Sequence, residues 1–130
     1  MSARKDLVLE YHEGFRQSDH ARVLACLTED VVWDLPGFRH LEGKAEFDSE
    51  IENPDFEGSP ALSVDRLVEE GDTVVAIGRG EGRHKVGGPF QFAYCTVFTF
   101  RGDLIGQVES YVVPVPGEEP GTTPGGDVQA

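Results

Sequence analysis

Apolar side chains recur at spacings of three and four over residues 4–17, where Leu7, Val8, Tyr11 and Phe15 are separated by charged residues. That spacing predicts an amphipathic helix with one buried stripe. Ser18 and Asp19 interrupt it, Asp19 is suited to cap a second helix, and Val23, Leu24 and Leu27 form the next stripe before Thr28, Glu29 and Asp30. The β-branched and aromatic run at residues 31–35, stopped by Pro36 and Gly37, predicts a short strand entering a turn. Phe47 and Ile51, four apart, predict a third helix over residues 44–52, with Asn53 and Pro54 ending it.

After residue 60 the period changes from helical to alternating. Residues 63–70 and 73–83 flank Glu70, Gly71 and Asp72, which is a hairpin signal. In residues 90–100, Phe90, Phe92, Tyr94, Thr96, Phe98 and Phe100 share one parity and Gln91, Ala93, Cys95, Val97 and Thr99 the other. One face of this strand is therefore almost wholly aromatic. Arg101, Gly102 and Asp103 turn the chain into a last strand over residues 104–113. The order of helix, helix, strand, helix and four strands predicts an α+β domain over residues 1–113, in which a curved antiparallel sheet wraps the helices. Residues 114–130 hold four Pro and four Gly among 17 positions and no apolar period, so a disordered tail is expected.

Charge narrows the partners. The 130 residues carry 24 acidic and 11 basic side chains, a formal net charge of -13, which opposes binding to nucleic acid or an anionic membrane. With 38% apolar residues and no apolar run near 18, the pattern fits a single globular core without a membrane span. Cys26 and Cys95 each sit in an apolar segment and read as small buried hydrophobes. With no hydrophobic leader ahead of the first helix, a reducing cytoplasm is the expected compartment.

Four pieces in order carry a resemblance: Tyr11-His12-Glu13-Gly14-Phe15 leading to Ser18-Asp19; Leu27-Thr28-Glu29-Asp30-Val31-Val32-Trp33; Val97 to Ile105 through Arg101-Gly102-Asp103; and Glu109-Ser110-Tyr111. Over about residues 4–113 the chain resembles the nuclear transport factor 2-like superfamily, in its SnoaL-like polyketide cyclase and ketosteroid isomerase branch. The resemblance implies a cone-shaped, cystatin-like sheet closed by three N-terminal helices around an apolar cavity. It also implies a homodimer through the outer sheet face and a hydrophobic small-molecule ligand. The scaffold hosts isomerases, cyclases, dehydratases, epoxide hydrolases and non-catalytic binders, so it fixes no reaction.

In the isomerase branch a carboxylate base works with a donor tyrosine and a neutral carboxylic acid. Tyr11, eight residues before Asp19, matches the donor. A gap-free match puts Leu35 at the base position, with Asp34 one residue earlier on the opposite pleat, able to reach the cavity only through a bulge or a one-residue slip of the match. Thr96 takes the place of the second acid. Asp34, Tyr11 and His40 are the catalytic candidates, with His40 and His84 weighed as acid/base groups at the rim. Glu81 is an alternative base, against a bland reading of Arg79, Glu81 and Arg83 as an exposed charge ladder between glycines. Phe15, Trp33, Leu35, Phe47, Phe92, Tyr94, Thr96, Glu109 and Tyr111 are the candidate ligand wall. His12, about 100° round the helix from Tyr11, is expected to face solvent. The acids at 42, 46, 48, 50, 52, 55 and 57 read as a solvated face. Without HxH, HExxH or Cys/His spacing, no metal and no cofactor is expected. Catalysis without a cofactor and non-catalytic binding both stay open.

Overall fold

A computed structural model describes residues 2–51 and 61–115. Helix α1 spans Ala3–Arg16, with the Ser2 hydroxyl accepting from the Lys5 backbone N–H at its start. Its buried positions are Val8, Tyr11, His12, Gly14 and Phe15. Asp19 caps α2, His20–Leu24, by accepting from the Arg22 N–H. Gly14 makes the close crossing of the two helices possible, because a Cβ there would sit 2.8 Å from Val23 Cγ2.

Strand β1, Leu27–Leu35, begins four residues earlier than the apolar pattern suggests. Tertiary contacts explain the difference: the Ile105 N–H donates to the Cys26 carbonyl, and Arg101 bridges to Asp30 at 2.6 Å. After the Pro36-Gly37 turn comes β2, Arg39–Glu42, which the sequence pattern misses because Leu41 is its only buried side chain. Helix α3, Gly43–Ile51, buries Phe47 and Ile51 as expected. Four long strands follow: β3 Ala61–Glu70, β4 Thr73–His84, β5 Gly88–Arg101 and β6 Leu104–Val115. Strand β6 thus runs past the expected domain boundary at 113, and residues 116–130 of the expected tail lie outside the described residues.

The six strands form one curved, unclosed sheet in the order β2-β1-β6-β5-β4-β3. Neighbours in this order pair antiparallel except β1 and β6, which run parallel, so the sheet is mixed where an all-antiparallel one was expected. The last strand returns beside the first after a long crossover, and alternation within a strand carries no information about the direction of such a non-local partner.

On the inner face Val74, Ala76, Phe98, Ile105 and Val108 are fully buried against Val8, Val23 and Phe47 of the helices. Among the described residues the outer face carries no helix. There Val68, Tyr111 and Val113 are 44%, 45% and 61% exposed beside half-buried Val75, Ile77 and Val97.

Candidate functional site

Between α1 and the inner sheet face lies an apolar cavity of about 300 Å³. Helix α1 lines it with Tyr11, His12 and Phe15, β1 with Trp33 and Leu35, and β6 with Ser110 and Val112. Strand β5 adds Phe90, Phe92, Tyr94 and Thr96. Glu50, Ile51, Leu62, Gly82 and Arg83 complete the wall, and the exposed members Arg83 and Val112 mark the mouth.

The register of β4 against β5 shapes this space. Gly80 pairs with Phe92 and Gly82 with Phe90. A Cβ at Gly80 would overlap the Phe92 ring, and one at Gly82 would lie 2.7 Å from Phe90 Cζ. The rings lie over the bare backbone of the next strand and stack on each other at 5.9 Å, which leaves volume where upright rings would fill it. The interleaved Arg79 and Glu81 point outward and are exposed, so Glu81 is no cavity base.

Most polar atoms in the wall are already used. Tyr94 Oη donates to the Ser63 carbonyl at 2.9 Å, Trp33 Nε1–H donates to Ser110 Oγ at 3.1 Å, and Glu50 pairs with Arg39 at 3.1 Å. Two hydroxyls are not. Tyr11, 4% exposed, and Thr96, 7% exposed, have no hydrogen-bond partner for their side chains among the described residues. Tyr11 is enclosed by the rings of Phe15, Phe47 and Phe98 at 5.0, 6.2 and 5.1 Å. Burial pushes its pKa far above the ordinary tyrosine range, so it is a donor at any physiological pH.

His12, expected to face water, is 5% exposed and stacks on Tyr94 at 5.8 Å. Its Nδ1 lies 2.9 Å from the Val8 carbonyl. A carbonyl only accepts, so Nδ1 carries the proton and Nε2 keeps a lone pair. Burial first, opposed by the Val8 hydrogen bond and helped by the Arg16 charge, lowers the His12 pKa and keeps the ring neutral. The signal for His12 was present in the sequence: Val8, Tyr11, His12 and Phe15 follow i, i+3, i+4, i+7, the spacing of one buried helix face.

The SnoaL-like domain family matches residues 8–108, three quarters of the chain. The chain belongs to the SnoaL-like domain family. Among solved structures, this SnoaL-like domain is similar to a nuclear transport factor 2-like protein of unknown function from Burkholderia pseudomallei, with TM-score 0.77 and 24% identity over 85% of this chain and 90% of that one. It is also similar to an LEH-like epoxide hydrolase of M. tuberculosis, at TM-score 0.74 and 18% identity over 85% and 82%. A candidate polyketide cyclase of Xanthomonas campestris is similar at TM-score 0.72 and 25% identity over 84% and 89%. No curated protein matches the chain.

Within this SnoaL-like fold the expected residues divide between two faces. Tyr11, Phe15, Trp33, Leu35, Phe92, Tyr94 and Thr96 meet at the cavity. Asp34 does not: Trp33 and Leu35 hold the inner pleat, the irregularity in β1 falls earlier, between Leu27 and Val32, and Asp34 points outward. There it joins His40, whose Nδ1 is 3.2 Å from Asp34 and whose Nε2 is 2.9 Å from Glu42. Hydrogen bonds to Glu42, then Asp34, raise the His40 pKa. Glu109, register partner of Asp34, and Tyr111, whose hydroxyl is 3.4 Å from Glu109, stand on the same outer face. Phe47 is core, stacked behind Trp33 at 4.4 Å and absent from the cavity wall. His84 caps its own hairpin by accepting from the N–H groups of Val86 and Gly87. Glu50 was missed as part of a solvated acidic face, but it shares the buried side of α3 with Phe47 and Ile51. Glu52, Asp55 and Glu57 lie outside the described residues. Cys26 is buried, its thiol pushed up to about 11 by desolvation, which makes it unreactive. Among the described residues no group of His, Cys, Asp and Glu could hold a metal ion, and no helix is long and apolar enough to cross a membrane.

Proposed function

We propose that this SnoaL-like domain binds a flat, largely apolar metabolite bearing a carbonyl and moves a proton on it, an isomerase, cyclase or hydratase type of chemistry performed by side chains alone. The reading rests on the Tyr11 hydroxyl, buried in the cavity wall with no partner among the described residues. A buried hydroxyl without a partner costs about 1–3 kcal/mol, and a ligand oxygen removes that cost. As charge develops on the carbonyl oxygen, a donor at fixed position stabilises the enolate more than the ketone. His12 Nε2 takes the proton from the carbon beside the carbonyl, and the imidazolium returns it at another carbon or, where the ligand holds a second carbonyl, the enolate carbon adds to that carbonyl and the imidazolium protonates the resulting alkoxide. Thr96 offers a second, weaker donor. A homodimer through the exposed apolar outer face belongs to the same reading.

A non-catalytic binder is the second reading, favoured by one observation: among the described residues the one carboxylate lining the cavity, Glu50, is paired with Arg39. Exchange of the α-protons of β-tetralone in heavy water, followed by NMR, separates the two. Enzyme-catalysed exchange that falls about a hundredfold in His12→Gln supports proton transfer. Binding of β-tetralone without accelerated exchange leaves the binder.

A further inference from the structure

The pairing register lays the outer face of the sheet out in rows. One row crosses from β2 to β3 through His40, Asp34, Glu109, Val97, Val75 and Val68, and the next passes through Tyr111, Cys95, Ile77 and Arg66. The middle of the face, on β4 and β5, is apolar and half-buried at Val75, Ile77, Cys95 and Val97. Its two flanks differ in charge. On the flank of β1, β2 and β6 stand Asp34, Glu42 and Glu109, with His40 held between Asp34 and Glu42. On the flank of β3 and β4 the charges nearest the apolar band are Arg66 and Arg79, both exposed, while Glu70, Glu81 and Arg83 lie toward the strand ends. When two identical faces meet about a two-fold axis, a side chain on one side of the axis meets the partner's side chain from the same distance on the other side. Arg66 lies two strands from β5 in one direction and Asp34 two strands in the other, each about 10 Å away, in neighbouring rows. An axis running along the middle of β5 therefore exchanges opposite charges, and symmetry makes it do so twice. Arg79 and Glu109, one strand from β5 on either side, extend the same match.

Resting on the reading of the outer face as the surface of a homodimer, we infer that the occupant is a second copy set in one register, with Asp34 and Glu109 of each protomer against the partner's Arg66 and Arg79. Val75, Ile77 and Val97 then close the apolar middle of the interface. Aligned sheets pack about 10 Å apart, a gap that arginine and glutamate side chains span from both sides. The charges act chiefly on specificity: an arrangement that brought the two β1 strands together would oppose carboxylate to carboxylate, and such like-charge contacts cost several kcal/mol. A chain this acidic, at -13, otherwise repels its own copy, so the arginines supply the local attraction that self-association needs.

The test reverses the charges one flank at a time. One variant carries Arg66→Glu and Arg79→Glu, a second carries Asp34→Lys and Glu109→Lys, and Val97→Asp serves as the control for the face as a whole. Sedimentation is expected to show each charge variant alone with its dimer weakened about a hundredfold. An equal mixture of the two restores every opposite-charge contact, so native mass spectrometry is expected to find a one-to-one heterodimer as stable as the wild-type dimer. Charge variants that dimerise like the wild type while Val97→Asp is monomeric overturn the inference and leave association through the outer face standing. A mixture that stays monomeric overturns it as well. A monomeric wild type, or a Val97→Asp protein that dimerises undiminished, removes the outer-face reading and the inference with it.

Discussion

Replacing Tyr11 by Phe removes one oxygen and nothing else from the cavity wall. In most proteins loss of a buried tyrosine hydroxyl costs stability, because a hydrogen bond disappears. Here the hydroxyl is buried among Phe15, Phe47 and Phe98 and has no partner among the described residues, so its removal also lifts a desolvation cost. That cost is about 1–3 kcal/mol, and water entering the cavity places it near the lower end. Tyr11→Phe is therefore expected to stabilise the free protein by about 1 kcal/mol, seen as a Tm rise of about 3–5 °C in calorimetry. Ligand binding moves the other way: affinity for fluorenone falls about fivefold while affinity for fluorene, which lacks the oxygen, is unchanged. A Tyr11→Phe protein that melts several degrees lower and binds both molecules like the wild type would show instead that the hydroxyl is a structural hydrogen-bonding group and not a ligand donor.

Three other outcomes follow from the same geometry. The lowered pKa of His12 means that the unfolded chain binds its proton more readily, so stability from this residue is present above about pH 6.5 and is lost as pH falls through the lower folded value. Denaturant titrations should show a shallower loss of stability on the acid side in His12→Gln. Gly80→Ala forces the Phe92 ring off its seat, at a cost of about 1–3 kcal/mol in chemical denaturation and with weaker binding of N-phenylnaphthylamine. Val97→Asp puts a charge on the apolar outer face, and sedimentation is expected to show a dimer for the wild type and a monomer for the variant.

Much of this was legible in the chain because it is local. The stripe Leu7, Val8, Tyr11 and Phe15 sets the buried side of α1, and the alternation from Phe90 to Phe100 sets which side of β5 faces the helices. Parity alone already set Asp34 against Leu35, and the structure keeps them on opposite pleats. Non-local relations were not legible. Thr28, Glu29 and Asp30 look like a helix end, yet Ile105 and Arg101, more than 70 positions away, draw them into a strand. The seats of Phe90 and Phe92 depend on the register with Gly82 and Gly80, which neither strand states by itself. His12 was hidden for a different reason: its 100° offset from Tyr11 argued for water, while its i+4 spacing from Val8 argued for the interior, which prevailed because Tyr94 stacks on the ring and the Val8 carbonyl accepts from it.

The most direct measurement is a crystal structure of the protein with fluorenone bound. The ligand is expected between α1 and β5, with its carbonyl oxygen about 2.6–2.9 Å from Tyr11 Oη. Fluorenone bound at the outer face beside Asp34 and His40, or in the cavity with its oxygen turned away from Tyr11, would contradict it.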